Sequence, residues 1–150
     1  MPDDEVLRKV EELFPNGKGE IVITSPKDDN YNCIAWAADD NQKFWWPIYP
    51  GFWPASVTRE TTLSAFRQAY SLSGYEECGD GLFEEEFEKI AIYADQAQAP
   101  THAARQLNDG KWTSKLGPQW DISHDSVSSV EGVHYGQATV FMKRPRKKQR

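Results

Sequence analysis

Residues 101–117 read THAARQLNDGKWTSKLG. Two runs suited to strands, THAARQL and KWTSKLG, flank Asn108-Asp109-Gly110, whose residues tolerate the left-handed backbone that a tight hairpin needs. The turn length leaves the register open. A two-residue Asp109-Gly110 turn pairs Leu107 with Trp112 and puts Thr113 and Lys115 on the face of His102. A three-residue Asn-Asp-Gly turn with a bulge shifts the pairing by one and puts Ser114 there instead.

Outward from this hairpin, IAIYA (90–94) and HYGQATVFMKR (134–144) read as further strands between turn residues. The N-terminal half has a different period. Val6, Leu7, Val10, Leu13 and Phe14 recur at helical spacing after Pro2-Asp3-Asp4 and stop at Pro15-Asn16-Gly17. Glu20–Thr24 reads as a short strand. A short helix carries CIAWAA with Asn30 or Asn32 as its cap, and Thr58 caps a helix bearing Leu63, Phe66, Ala69 and Tyr70. Residues 76–88, EECGDGLFEEEFE, read as an exposed loop or helical turn rather than a metal site, because the oxygen-ligand spacing of a calcium loop is missing. Helices first and an antiparallel sheet second predict an α+β domain over 1–142, with N-terminal helices packed on a C-terminal sheet. Residues 143–150, KRPRKKQR, form a basic, flexible tail that is either a frayed end or a contact for an anionic surface.

The chain has 150 residues and a formal charge of −6, which argues against general nucleic-acid binding. It lacks an apolar run long enough for a membrane span, and its acidic amphipathic start differs from a secretory signal. The expected location is cytoplasmic, or outside by a route without a cleaved signal. Of the two cysteines, Cys78 lies among carboxylates, an environment expected to make it a poor nucleophile. Neither CxxC nor HExxH occurs, so neither a metal nor another cofactor is expected.

Thiol chemistry needs a cysteine whose anion is stabilised and a base that exchanges protons near neutrality. Cys33, at a helix start, and His102, opening a strand of the following sheet, supply those two groups in the order a thiol hydrolase requires. Ser114, Asp121 and His124 are the candidates to orient the imidazole, with N–H groups near Asn32 and Cys33 for an oxyanion. The aromatic stretch FWWPIYPGFWP (44–54) either closes the core or, through Trp45, Trp46 and Trp53, bounds a substrate groove.

THAARQLNDGKWTSKLG followed by YGQATVFMKR resembles the C-terminal half of papain-like cysteine proteases, and the order of elements is similar to the smaller NlpC-type endopeptidases. YNCIAWA, THAARQL, WTSKLG and DISH together also resemble a family of small uncharacterised bacterial proteins. The papain-like resemblance implies Cys33 as nucleophile and His102 as base. Ser114 stands where that class has an orienting Asn, and Lys27 where it has an oxyanion Gln, so Asn30, Asn32 or backbone N–H groups would substitute. It implies a thiol hydrolase or acyltransferase acting on an amide, isopeptide or thioester of a protein or peptide. The alternative is a non-catalytic interaction module on the same fold, such as a component of a bacterial conflict system.

Overall fold

The computed structural model describes residues 2–25, 32–38, 43, 45–48, 51–116 and 121–146. Its described strands are β1 (Ile21–Ser25), β2 (Glu76–Cys78), β3 (Phe87–Ala94), β4 (Pro100–Gln106), β5 (Trp112–Lys115), β6 (Asp121–His124) and β7 (Gln137–Pro145). The described helices are α1 (Pro2–Leu13), α2 (Cys33–Ala37) and α3 (Leu63–Ser71).

The strands make one seven-stranded sheet in the order β1-β6-β5-β4-β3-β7-β2, with every neighbouring pair antiparallel. This corrects the expected papain-like, NlpC-like plan of helices packed on a separate C-terminal sheet. The sheet dominates the fold, and its two edges are the first two strands in the chain: β1 pairs with β6, and β2 with β7. The physical reason lies in long-range pairing. EEC finds a basic and apolar partner strand, Glu76 opposite Lys143 and Glu77 opposite Met142, so part of the expected acidic loop is recruited as an edge. The helices are left short, with five residues in α2 and nine in α3, the latter capped by Thr62 rather than Thr58.

Strand alternation splits the core between the two faces of the sheet. Ile90, Ile92, Ala103, Val140 and Met142 meet α2, α3 and the aromatic segment on one face. Ala91, Tyr93, Ala104, Trp112 and Ile122 meet Val10 and Phe14 on the other. Burial of both faces explains near-continuous apolar runs such as IAIYA.

The β4–β5 turn takes the three-residue form. Leu107 N–H bonds the Lys111 carbonyl at 2.7 Å, Gly110 has φ of 88°, and Gln106 pairs with Trp112. The first four residues of the expected tail belong to the fold. β7 runs to Pro145, Arg144 pairs with Glu88, and Arg146 donates to the carbonyls of Glu85 and Phe87.

Candidate functional site

Cys33 opens α2, and Asn32 holds that helix start in place. The Asn32 Oδ1 accepts from the N–H groups of Ala35 (3.1 Å) and Trp45 (3.0 Å), while Nδ2 donates to the Trp45 carbonyl at 2.6 Å. Its carboxamide is thus occupied in capping α2 and clasping the aromatic segment. Lys27 and Asn30 lie outside the described residues.

α2 packs against β4 and β5. β5 is registered to β4 at Arg105↔Thr113 and Gln106↔Trp112, so the first residues of β4 extend beyond that ladder. There the Cys33 sulfur meets β4 at the N–H of Ala103, the residue after His102. Burial pushes the Cys33 thiol up to about 11, against the pull of the Ala103, Ile34 and Cys33 N–H groups and the Lys115 ammonium. The resting sulfur is therefore a neutral thiol.

His102 is fully buried and projects from the opposite face to Ala103, beside Tyr93. Its Nε2 lies 2.9 Å from Ser114 Oγ, and Ser114 Oγ lies 2.8 Å from His124 Nε2. His124 Nδ1 in turn lies 2.8 Å from the Ser126 carbonyl. A carbonyl only accepts, so His124 Nδ1 carries the proton and its Nε2 presents a lone pair. The Ser114 hydroxyl must then donate to His124 and accept from His102 Nε2–H. Every proton in the chain has one direction, and it leaves the lone pair of His102 on Nδ1. That atom has no hydrogen-bond partner among the described residues.

Burial accounts for the charge state. Desolvation, followed by the neighbouring His124, holds His102 well below the ordinary histidine range. Desolvation brings His124 down to about 4 against opposing contributions from the Ser126 carbonyl, Asp125 and Glu20. Both rings are neutral at pH 7, as the directed chain requires.

The structure therefore brings together His102, Ser114 and His124, and sets Cys33 against the neighbouring peptide of His102. It does not bring Asp121 to the imidazole. Asp121 and Ile122 alternate across β6, and Asp121 pairs at 3.9 Å with the buried ammonium of Lys115 on the α2 face. Trp45 and Trp53 are buried in the core, with Trp53 packed 5.1 Å from Phe66, while Trp46 is half-buried at its margin. Two participants were not singled out as site residues by sequence reasoning. Lys115 was named only for the two-residue turn, on the face of His102, and the three-residue turn puts it on the α2 face instead. Tyr135, whose ring stacks on His102 at 3.9 Å and 3°, sits in a turn and carried no periodic signal.

Among the described residues, no three His, Cys, Asp or Glu side chains converge to hold a metal ion, and no helix is long and apolar enough to cross a membrane. Residues 22–143 match the model of the family described as a domain of unknown function, DUF7689, and the chain belongs to that family. The matched span contains Cys33, His102, Ser114 and His124. No curated protein and no solved structure matches the chain.

Proposed function

We propose that the chain is a thiol-dependent hydrolase or acyltransferase acting on an amide, isopeptide or thioester of a protein or peptide. The observation that carries this reading is the directed relay behind His102, which ties Nε2 to Ser114 and leaves a buried lone pair on Nδ1. The base is oriented from behind and the thiol meets the adjacent Ala103 peptide, so the reaction requires the Cys33 side chain to turn past the end of the β4–β5 ladder to within hydrogen-bond reach of His102 Nδ1.

In this reaction the Cys33 S–H bond breaks and its proton passes to His102 Nδ1. The sulfur bonds to the substrate carbonyl carbon, and the tetrahedral intermediate collapses as the C–N or C–S bond to the leaving group breaks. The leaving group takes the proton back from His102. Water, or an acceptor amine, then attacks the thioester and restores the thiol, with His102 again relaying the proton. Because the resting sulfur is neutral, deprotonation accompanies attack. The Ala103 N–H and the Lys115 ammonium favour the anion as it forms.

Burial of the thiol, with its pKa raised to about 11, favours a rival reading as a non-catalytic interaction module. Incubation with a small acyl thioester, followed by mass spectrometry of Cys33, separates the two. The enzyme reading expects an acyl adduct on Cys33 whose formation slows by about a hundredfold or more in His102→Ala, the usual range for a lost general base. No adduct, or an adduct formed equally fast in His102→Ala, supports the interaction module.

A further inference from the structure

A base that becomes cationic in a buried site needs something to receive the charge, and a hydrogen bond alone does not fix a ring's plane. His102 has its Nε2 on the Ser114 hydroxyl rather than on a carboxylate, and Asp121 is occupied with Lys115 on the other face of the sheet. The titratable groups around the ring are His124 through Ser114, Tyr93 at 5.2 Å, Tyr135, and Cys33 at the Ala103 peptide. Of these, Tyr135 has the most specific geometry: its ring is parallel to the imidazole within 3° at a centroid distance of 3.9 Å.

We infer that Tyr135 is a positioning residue for His102, setting the plane of the imidazole and supplying the π-face against which the imidazolium forms. The inference rests on the thiol-enzyme reading above. Two constraints then define the base. Ser114 selects which nitrogen points backward, and Tyr135 stops rotation about that bond. An aromatic face also attracts a desolvated cation, and Tyr135 presents its face to this imidazole more closely than Tyr93 does.

The turn that carries Tyr135 is built to hold it. Gly132 and Gly136 exchange backbone hydrogen bonds of 3.0 and 2.8 Å, closing a small loop. Gly136 adopts φ of 75°, and a Cβ there would lie 2.0 Å from the Ala94 carbonyl oxygen, so the loop closes directly on the end of β3. The Thr101 hydroxyl donates to the Tyr135 carbonyl from the residue before His102, and Phe14 of the segment after α1 packs 5.2 Å from the tyrosine ring. Base and covering ring are thus tied to each other through adjacent residues of β4.

The test compares Tyr135→Phe with Tyr135→Leu and Tyr135→Met, each checked for folding by circular dichroism. It uses Cys33 acylation by the same small thioester and the NMR shifts of the His102 ring protons. The phenylalanine variant is expected to acylate within about twofold of the parent. The leucine and methionine variants are expected to lose about tenfold, the scale of a desolvated cation–π contact, and to move the His102 ring protons downfield as the ring current disappears. Combining either with His102→Ala should cause no loss beyond His102→Ala alone. Folded leucine or methionine variants that acylate at the parental rate, while His102→Ala stays slow, overturn the inference and leave the enzyme reading intact. If His102→Ala acylates like the parent, the enzyme reading fails, and unchanged ring shifts in the leucine and methionine variants then overturn the positioning role as well.

Discussion

Ser114 Oγ accepts a 2.9 Å hydrogen bond from His102 Nε2, and this contact follows from the three-residue turn at Asn108–Gly110. With a two-residue turn Thr113 would face the imidazole, and its hydroxyl instead bonds the Ile122 carbonyl at 3.0 Å. One residue of turn length thereby decides whether the base has a partner. Ser114→Ala removes that partner from both rings at once, leaving His102 Nε2–H and His124 Nε2 buried without one. A buried unsatisfied group costs about 1–3 kcal/mol, so a loss of about 2–4 kcal/mol is expected in urea unfolding. Cys33 acylation should fall by about tenfold to a hundredfold, because misorientation of a reacting group carries a cost of that order. A variant as stable and as reactive as the parent would show that the relay has neither role.

The two neutral histidines give stability a defined pH dependence. His124 is held at about 4, below the roughly 6.5 of an unfolded histidine, and His102 is also held well below that ordinary value. Between those limits the unfolded chain binds more protons than the folded one, so stability rises with pH. The contribution is fully present above about pH 6.5 and is lost as pH falls toward 4, amounting to about 3 kcal/mol from His124 alone. Urea midpoints measured from pH 7.5 down to 4.5 should fall steeply in the parent and less steeply in His124→Gln. Parallel slopes would refute the assignment.

How far the fold was legible depends on the reach of each interaction. The hairpin at Asn108–Gly110 and the strands around IAIYA and YGQATVFMKR are written in local alternation and turn chemistry; β3 contains IAIYA, whereas β7 starts only at Gln137, after a turn over the expected first residues 134–136. β1 was legible as a strand within one residue, but its place at the sheet edge beside β6 depends on pairing across about 100 residues, as in Ile21↔His124. β2 was invisible locally, since two glutamates and a cysteine have no strand preference until Lys143, Met142 and Phe141 lie alongside. The candidate site shows the same division. Cys33 and His102 stood out by residue type and order, whereas the choice of Ser114 over Asp121 required the register. Tyr135 required the tertiary fold, because a turn residue has no periodicity to betray what it covers.

The acidic loop between β2 and β3 is clasped at its centre by a buried cation, with Lys143, Gln106 and Arg146 contacting it at Glu84, Gly81 and Glu85. Lys89 is 1% exposed, and its Nζ lies 2.7 Å from Glu84 Oε2, 3.1 Å from Asp80 Oδ1 and 3.3 Å from the Asp80 carbonyl. These carboxylates are drawn below their ordinary range chiefly by hydrogen bonds, from the Leu82 N–H to Asp80 and from Lys89 to Glu84. Lys89→Met should preserve the packing of the stem and remove the clasp. Residues 79–86 are expected to become the first site of limited proteolysis, with amide exchange accelerating there before it does in β3. Protection equal to the parent would mean that the remaining contacts hold the loop.

Asn32 offers the sharpest separation of a structural role from a chemical one. Its Oδ1 accepts two backbone bonds and its Nδ2 donates a third, joining the start of α2 to Trp45. Asn32→Asp keeps the acceptors for Ala35 and Trp45 but turns the donor into an oxygen facing the Trp45 carbonyl. Asn32→Ala loses all three bonds, the cap of α2 among them. Loss of a helix cap costs about 1 kcal/mol and each of the two bonds to Trp45 about 0.5–1.5 kcal/mol, so Asn32→Ala should lose about 2–4 kcal/mol in urea unfolding. Asn32→Asp should also destabilise, because the new carboxylate oxygen faces the Trp45 carbonyl to which the amide N–H donated its hydrogen bond. If the Asn32 amide also served an oxyanion directly, Asn32→Asp would abolish acylation of the folded protein. A purely structural clasp predicts that the folded fraction of Asn32→Asp acylates Cys33 within about tenfold of the parent, measured at a urea concentration of zero and normalised to the native signal. Acylation abolished in a fully native sample would return the side chain to the reacting site.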